Sequence, residues 1–352
     1  MSAKQATWAN RVRGLVLGLA LGESLGRGTA PTSGPVRTGV GAQLAAFTIE
    51  GVIRASVRVS HRGICHPPSV IWHAYCRWAA LQGIEVHEHH RHWSEGSVGW
   101  PDGWLADVPL LRERRGSAPA TVKALNQPEQ GSTSHPATSS RGWHAVARSL
   151  PLAALSRTMS ADGLADLARD VAALTHGDPL AYNATAAAAV LTGRCLSAGS
   201  LAEAAGHDPG PLRSPDVAAV LGRARAVFAQ ARRTPRRKDQ LAQAAPDATA
   251  PSALLGATYV AGSCDEPDEA MEALSFAALA PDGSSVAAVT GAILGALYGV
   301  EVWPVELLSR LESAWLLDTL ARDLVAEVTE SPGGSEYAPP HDPFWLERYP
   351  GW

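Results

Sequence analysis

The chain has 352 residues, of which 46% are hydrophobic and 18% are charged, and its formal net charge at pH 7 is −4. This composition provides material for a large core and no long-range attraction to nucleic acid, so we do not expect a nucleic-acid partner. Four cysteines in so long a chain exclude a disulfide scaffold and favour a soluble, cytoplasmic protein.

The first predicted element is a buried helix over residues 11–26, RVRGLVLGLALGESLG. Its apolar, glycine-rich sequence lacks the two-residue alternation of a half-buried strand. The run falls short of the roughly 18 uninterrupted apolar residues of a membrane span, and it has no small-residue cleavage site. We therefore predict neither a membrane helix nor a signal peptide.

Two later runs, at residues 180–197 and 285–299, also predict buried helices. Both are rich in alanine, which together with glycine lets helix backbones approach one another closely. Asp178 and Asp282 precede these runs, where a side-chain oxygen can cap a helix. The sequence thus predicts an all-α fold, a compact orthogonal helical bundle formed by a single domain over residues 1–330.

The C-terminal segment, residues 331–352, contains too much proline and glycine to predict a helix. Its aromatic residues are Phe344, Trp345, Tyr349 and Trp352. They indicate that this tail packs onto the domain or onto another subunit. The oligomeric state stays open.

A dense histidine run lies at residues 87–92, with Cys65, His66, His73 and Cys76 upstream. A zinc site requires four such ligands in a tight spacing pattern, and neither a C-x-x-C nor an H-x-x-x-H pair occurs here. We therefore favour a structural role for these histidines over a metal site.

Five segments follow one another in a recognisable order: RVRGLVLGLALGESLG (11–26), GVGAQ (39–43), GWHAVARSLPLAAL (142–155), THGDP (175–179) and PDGSSVAAVTGAILGALYG (281–299). Together they resemble the ADP-ribosylglycohydrolase family over most of the chain. The resemblance implies an all-α fold. It also implies hydrolysis of a glycosidic bond to ADP-ribose with a pair of magnesium ions.

The positions that supply metal ligands in the family depart from its pattern. The family motif T-D-D-T-Q falls on Gly39, Val40, Gly41, Ala42 and Gln43, so that only the glutamine remains. In the family motif G-G-D-x-D-T, Asp282 keeps the first aspartate, while Ser284 and Ser285 replace the second aspartate and the threonine. A family glutamate is replaced by Ala30, and Glu23 stands where the family has an aspartate.

These replacements predict the loss of magnesium. Magnesium is a hard cation held by carboxylates, and a two-metal site needs several of them close together. Of the five expected carboxylates only Asp282 is left. We expect no metal site, no cofactor and no catalytic residue, with Asp282 as the one candidate if the protein is active.

A ligand-binding cleft could survive, because the family receives ADP-ribose partly through backbone N–H groups at helix N-termini. The candidate residues are Gly39, Val40, Gly41, Gln43, Asp282, Gly283, Ser284, Ser285, Trp143 and His176. Trp100, Trp104 and Trp143 could stack on an adenine, with core or rim packing as the alternative.

Three hypotheses follow. The first is a pseudoenzyme, of a bacterial type by its composition, that binds ADP-ribose, a related nucleotide or an ADP-ribosylated protein. The second is a scaffold subunit with a vestigial cleft. The third is a metal-independent glycosidase acting on ADP-ribosylated substrates.

Overall fold

A computed structural model of the protein describes residues 6–28, 33–90, 100–206, 212–264 and 266–351. In this part of the chain there are sixteen α-helices and no β-sheet, and the only extended pairings are isolated bridges such as Val36 with Leu311. The all-α prediction is confirmed.

The helices are α1 Trp8–Leu25, α2 Val40–Arg62, α3 Pro67–Leu81, α4 Pro119–Leu125, α5 His144–Ser149, α6 Ala161–Ala173, α7 Pro179–Cys195, α8 Leu201–Gly206, α9 Pro215–Arg233, α10 Lys238–Ala244, α11 Ala250–Ser263, α12 Ala270–Ala277, α13 Gly283–Tyr298, α14 Val305–Arg310, α15 Ala314–Glu330 and α16 Trp345–Arg348. Short 3-10 helices cover Glu88–His90, Trp104–Asp107, Pro109–Arg112, Leu150–Arg157, Pro267–Glu269 and Val300–Val302.

The three buried helices predicted from the sequence are α1, α7 and α13, with ends shifted by one to three residues. Asp178 caps α7 by accepting a hydrogen bond from the Leu180 N–H at 2.9 Å, which sets the start of the helix. Asp282 caps α13 in the same way, through the Ser285 N–H. The capping prediction is confirmed at both helices.

The centre of the fold is the antiparallel contact between α1 and α13. Gly14, Gly18, Gly22 and Gly26 recur every fourth residue on α1 and at its end, and they face Gly295, Gly291, Ala287 and Gly283 respectively. A side chain on any of these α1 glycines would overlap a backbone carbonyl of the facing segment. Because the backbones touch along the whole contact, the C-terminal end of α1 lies beside the N-terminal end of α13.

The second core helix, α2, has the length and a mean hydropathy of 1.2 that would suit a membrane span. However, 94% of that apolar window is buried inside the protein. α2 is therefore a core helix, and α3, α5 and α15 pack against it.

The tail after α15 lies against the domain. Trp345 and Tyr349 are buried; the Trp345 indole N–H donates to Glu327 at 2.9 Å and the Tyr349 hydroxyl donates to Asp323 at 2.6 Å. The prediction that residues 331–352 are non-helical is wrong for α16. The four residues of this helix contain neither proline nor glycine, so one turn forms between Pro343 and Pro350. Trp352 lies outside the described residues.

The described part of the histidine run packs as structure. The Trp72 indole N–H donates to His90 Nδ1 at 3.3 Å, and His90 Nε2 lies 2.8 Å from the Gln127 carbonyl oxygen. No group of three potential metal ligands occurs in the described ranges. Arg91 and His92 lie outside them.

Candidate functional site

The first residue of the candidate site is Glu23, which lies in the last turn of α1. Its side chain is fully buried and accepts hydrogen bonds from the backbone N–H groups of Gly41, at 3.0 Å, and Ala42, at 2.8 Å. Arg27, one turn further along the chain, donates to Glu23 Oε1 at 3.1 Å. The carboxylate therefore lies at the N-terminus of α2, between two backbone N–H groups and a guanidinium.

The local sequence explains why Glu23 occupies this position. Gly39 precedes α2 and has no side chain to cap it, which leaves the first N–H groups of the helix without a local acceptor. A carboxylate near the positive end of a helix dipole is stabilised. Burial raises the pKa of the Glu23 carboxyl, while Arg27 and the two N–H groups counteract that rise.

Space as well as charge couples these residues. A Cβ at Gly39 would overlap both Glu23 and the Arg27 guanidinium, and one at Gly41 would lie 3.1 Å from Glu23 Oε2. Gly39 and Gly41 belong to the segment onto which the family's aspartates map. In this chain the Glu23–Arg27 ion pair fills the space beside that segment.

The other half of the site is the start of α13. Asp282 Oδ1 accepts from the Ser285 N–H at 3.3 Å, and the Ser285 hydroxyl donates back to the Asp282 carbonyl at 3.0 Å. Ser285 is buried by this contact. Both side chains are therefore engaged in capping the helix.

Between the C-terminal end of α1 and the N-terminal end of α13 lies an open cavity of about 530 Å³, here called the helix-end cavity. It is lined by Gly26, Arg27, Pro246, Asp247, Ala248, Pro281, Asp282, Gly283 and Ser284. The side chain of Arg27 is 42% exposed, so its guanidinium is accessible while it holds Glu23. The cavity thus presents one cation and two carboxylates next to the N-terminus of a long helix.

Asp247 was not predicted from the sequence. Its Oδ1 accepts from the hydroxyls of Thr249 and Ser252, both at 2.6 Å. These hydrogen bonds lower the pKa of Asp247, so the group is ionised at neutral pH. Arg27 was also missed, although its spacing of four residues from Glu23 is the usual signal of an ion pair on a helix.

The 39–43 segment does not line the helix-end cavity. Gly39, Val40, Gly41 and Gln43 are all buried. Gln43 accepts from the Trp78 indole at 3.4 Å and donates to the Glu113 carbonyl at 3.1 Å. The prediction that this turn offers N–H groups to a ligand is wrong for Gly41 and Ala42, because both N–H groups donate to Glu23.

Neither of the two remaining candidates, Trp143 and His176, lines the cavity. The Trp143 backbone N–H donates to the Ala248 carbonyl at 3.2 Å, but its ring is buried against His144. His176 is buried with Nδ1 2.8 Å from the Thr175 hydroxyl, and burial lowers its pKa well below the ordinary value. These contacts are structural. Trp104 packs edge-on against Trp315, which likewise indicates a packing role.

The residues present do not fit a pair of magnesium ions. Each Glu23 oxygen accepts a backbone N–H, and Asp282 and Asp247 each use Oδ1 for local hydrogen bonds. No group of three His, Cys, Asp or Glu side chains suited to a metal occurs in the part of the chain described. Ala30 lies outside that part.

Comparison with known proteins agrees with the architecture. A family model described as ADP-ribosylglycohydrolase matches residues 4–333. A solved structure described as an ADP-ribosylglycohydrolase-related protein complex superposes with a TM-score of 0.55 at 20% sequence identity, covering 92% of this chain and 99% of that one. No curated protein matches the sequence.

Proposed function

Because this chain belongs to the ADP-ribosylglycohydrolase family, we propose that it is a pseudoenzyme which has exchanged the dinuclear magnesium site for an ion pair and binds ADP-ribose, a related nucleotide or an ADP-ribosylated partner. The observation that carries this proposal is the Glu23–Arg27 pair beside Gly39 and Gly41. By the resemblance, the family's two aspartates fall on Val40 and Gly41, and the threonine before them falls on Gly39. Among the described residues, the cation beside this segment is the guanidinium of Arg27.

The helix-end cavity supplies the groups that such a ligand needs. The exposed guanidinium of Arg27 can hold a phosphate through charge-assisted hydrogen bonds. Gly283 and Ser284 open the 16-residue helix α13, and the N-terminus of a helix favours anions. The ionised carboxylate of Asp247 can accept hydrogen bonds from ribose hydroxyls.

Calorimetry with ADP-ribose tests the proposal. We expect binding of similar strength with and without millimolar magnesium, since no step of recognition uses the metal. Arg27→Gln should weaken binding by about tenfold or more, which corresponds to at least 1.4 kcal/mol. Arg37→Gln, at an exposed arginine on the segment leading into α2, is the matched control and should leave binding unchanged.

Two results contradict this proposal. If ADP-ribose does not bind at millimolar concentration, the scaffold hypothesis takes its place. If ADP-ribose binds only with magnesium, the residues assigned to the site are wrong.

A second candidate function is metal-independent glycoside hydrolysis, and one observation favours it. Asp247 and Asp282 line the same cavity. Most glycosidases use a pair of carboxyl groups for catalysis. This candidate requires turnover that depends on both residues. The local hydrogen bonds of Asp282 and the low pKa of Asp247 supply no general acid, so we rank it second.

A further inference from the structure

A second cavity, of about 450 Å³, lies beside the C-terminal third of α2. The residues that matter for its chemistry are Arg54, Arg58, His73, Arg77, Trp100 and Asp102. It is called the arginine cavity below. Arg54 lies on α2, fifteen residues after Gly39. Because a helix rises about 1.5 Å per residue, the cavity lies about 20 Å from the start of α2.

The arginine cavity contains a buried network of charges. Arg77 donates to Glu50 Oε2 at 2.5 Å, and Arg54 donates to Asp102 Oδ2 at 2.9 Å. Arg54 also pairs with Glu50. The side chains of Arg54 and Arg77 are 4% and 5% exposed, so this network is shielded from water.

The network has more positive than negative charge. Three arginines face two carboxylates, Glu50 and Asp102, which leaves one positive charge in excess among the described residues. His73 adds no charge at neutral pH, because burial lowers its pKa to about 4. The excess belongs to Arg58, which is half-buried at the edge of the balanced group of Arg54, Arg77, Glu50 and Asp102, so its guanidinium favours an anion at that edge of the cavity.

Arg58 and Arg77 retain donors for such an anion. Arg58 donates through Nη1 to the Gly351 carbonyl at 3.1 Å, and it has no carboxylate partner within the described ranges. Arg77 Nε is buried without a hydrogen-bond partner among the described residues, and Asp102 Oδ1 lies 3.7 Å away, beyond hydrogen-bond distance. The half-buried Trp100 lines the same cavity.

The geometry points to a binding site for a small planar organic anion. Arg58 and Arg77 hold its acidic group, a phosphate or a carboxylate, and the planar part stacks on Trp100. The volume falls within the range of pockets for small ligands. This site is separate from the helix-end cavity and does not depend on what binds there.

The test is calorimetry on the full-length protein with phenyl phosphate, benzoate and inorganic phosphate. We expect phenyl phosphate or benzoate to bind, and the tighter of the two identifies the acidic group. Phenyl phosphate should bind at least about fivefold more tightly than inorganic phosphate, because its ring stacks on an aromatic side chain. If none of the three binds at millimolar concentration, the inference is wrong.

Variants locate the ligand. Arg58→Gln should weaken the better aromatic anion by about tenfold or more, and Arg58 is half-buried at the edge of the network, so the variant should fold. Trp100→Leu should reduce phenyl phosphate to the affinity of inorganic phosphate. Arg62→Gln, at an exposed arginine of the same helix, is the control. Unchanged binding in Arg58→Gln, or loss of binding in Arg27→Gln, would place the anion elsewhere and overturn the inference.

Discussion

At the scale of single residues, the glycines of the 39–43 segment and the position of Glu23 depend on each other. A side chain at Gly39 would overlap the Glu23 carboxylate, and that carboxylate is what satisfies the first N–H groups of α2. Glu23, Arg27 and the N–H groups of Gly41 and Ala42 therefore form one hydrogen-bond network at the start of α2.

This coupling predicts the outcome of a double-mutant cycle. Gly39→Ala should lower the free energy of unfolding by about 1–3 kcal/mol through overpacking. Glu23→Asp should also be destabilising, because the shorter side chain does not reach both N–H groups. The double variant should lose at least about 1 kcal/mol less than the two single losses combined, since the shorter acid makes room for the new methyl group. Urea unfolding measures all three, and additive losses would contradict the coupling.

His144, the first residue of α5, predicts a pH dependence of stability. Burial lowers its pKa from 6.5 to about 4, with Arg148 and Arg27 contributing. Between these values the unfolded chain binds a proton that the folded chain does not, so the free energy of unfolding falls as the pH falls from 6.5 toward 4. One histidine contributes up to about 1.4 kcal/mol per pH unit in that window.

The variant His144→Gln isolates this contribution from other titrating groups. Compared with the unmodified protein, its free energy of unfolding should fall less between pH 7.5 and pH 5, by up to about 2 kcal/mol. His341→Gln, at an exposed histidine of the tail, is the control. Equal pH dependence in His144→Gln and the unmodified protein would show that His144 titrates normally in the fold.

At the scale of elements, the contact between α1 and α13 holds the site together. Glu23 and Arg27 lie at the end of α1, and Asp282 lies at the start of α13. Because glycines line the contact, the two helix ends are separated by little more than their backbones. The helix-end cavity is formed where this contact stops.

Gly18→Ala should therefore destabilise the protein strongly. The new methyl group would overlap the Gly291 carbonyl and lie 2.7 Å from the Trp303 ring, and overpacking of this kind costs about 1–3 kcal/mol. Gly222→Ala is the matched control, because Gly222 is an exposed glycine inside α9 with open space around it. That change should instead stabilise by about 0.5–1 kcal/mol. Thermal unfolding measures both changes. A lower melting temperature for Gly18→Ala together with a higher one for Gly222→Ala would confirm the expectation, and equal decreases would contradict it.

The sequence predicted these elements better than it predicted the site. The apolar, small-residue runs of α1, α7 and α13 depend on local composition, which the sequence shows directly. The helix-end cavity depends on contacts between distant segments. Asp247 lies on a loop, and the sequence around it does not indicate that it lines the same cavity as Asp282. Burial of Gln43 beneath the loop that contains Glu113 is likewise a property of tertiary packing.

At the scale of the whole molecule, the family membership and the departures at the ligand positions lead to opposite expectations about activity. The chain belongs to the ADP-ribosylglycohydrolase family, and it superposes with a TM-score of 0.55 on a solved structure described as an ADP-ribosylglycohydrolase-related protein complex. In metal-dependent hydrolysis the ions orient the substrate and generate the attacking hydroxide. On the proposal that the Glu23–Arg27 pair has replaced the metals, this chain lacks both contributions.

We therefore expect no measurable release of ADP-ribose from ADP-ribosylated arginine, serine or nucleic acid, with or without magnesium. Losing substrate orientation and the activated water together should remove many orders of magnitude in rate. A carboxylate that took over would need to reach the attacking water within about 3 Å and have a pKa suited to the task. Chromatographic detection of free ADP-ribose measures the outcome. Release that Asp282→Ala or Asp247→Ala abolishes, and that Asp216→Ala at an exposed residue of α9 leaves intact, would overturn the pseudoenzyme proposal in favour of a metal-independent glycosidase.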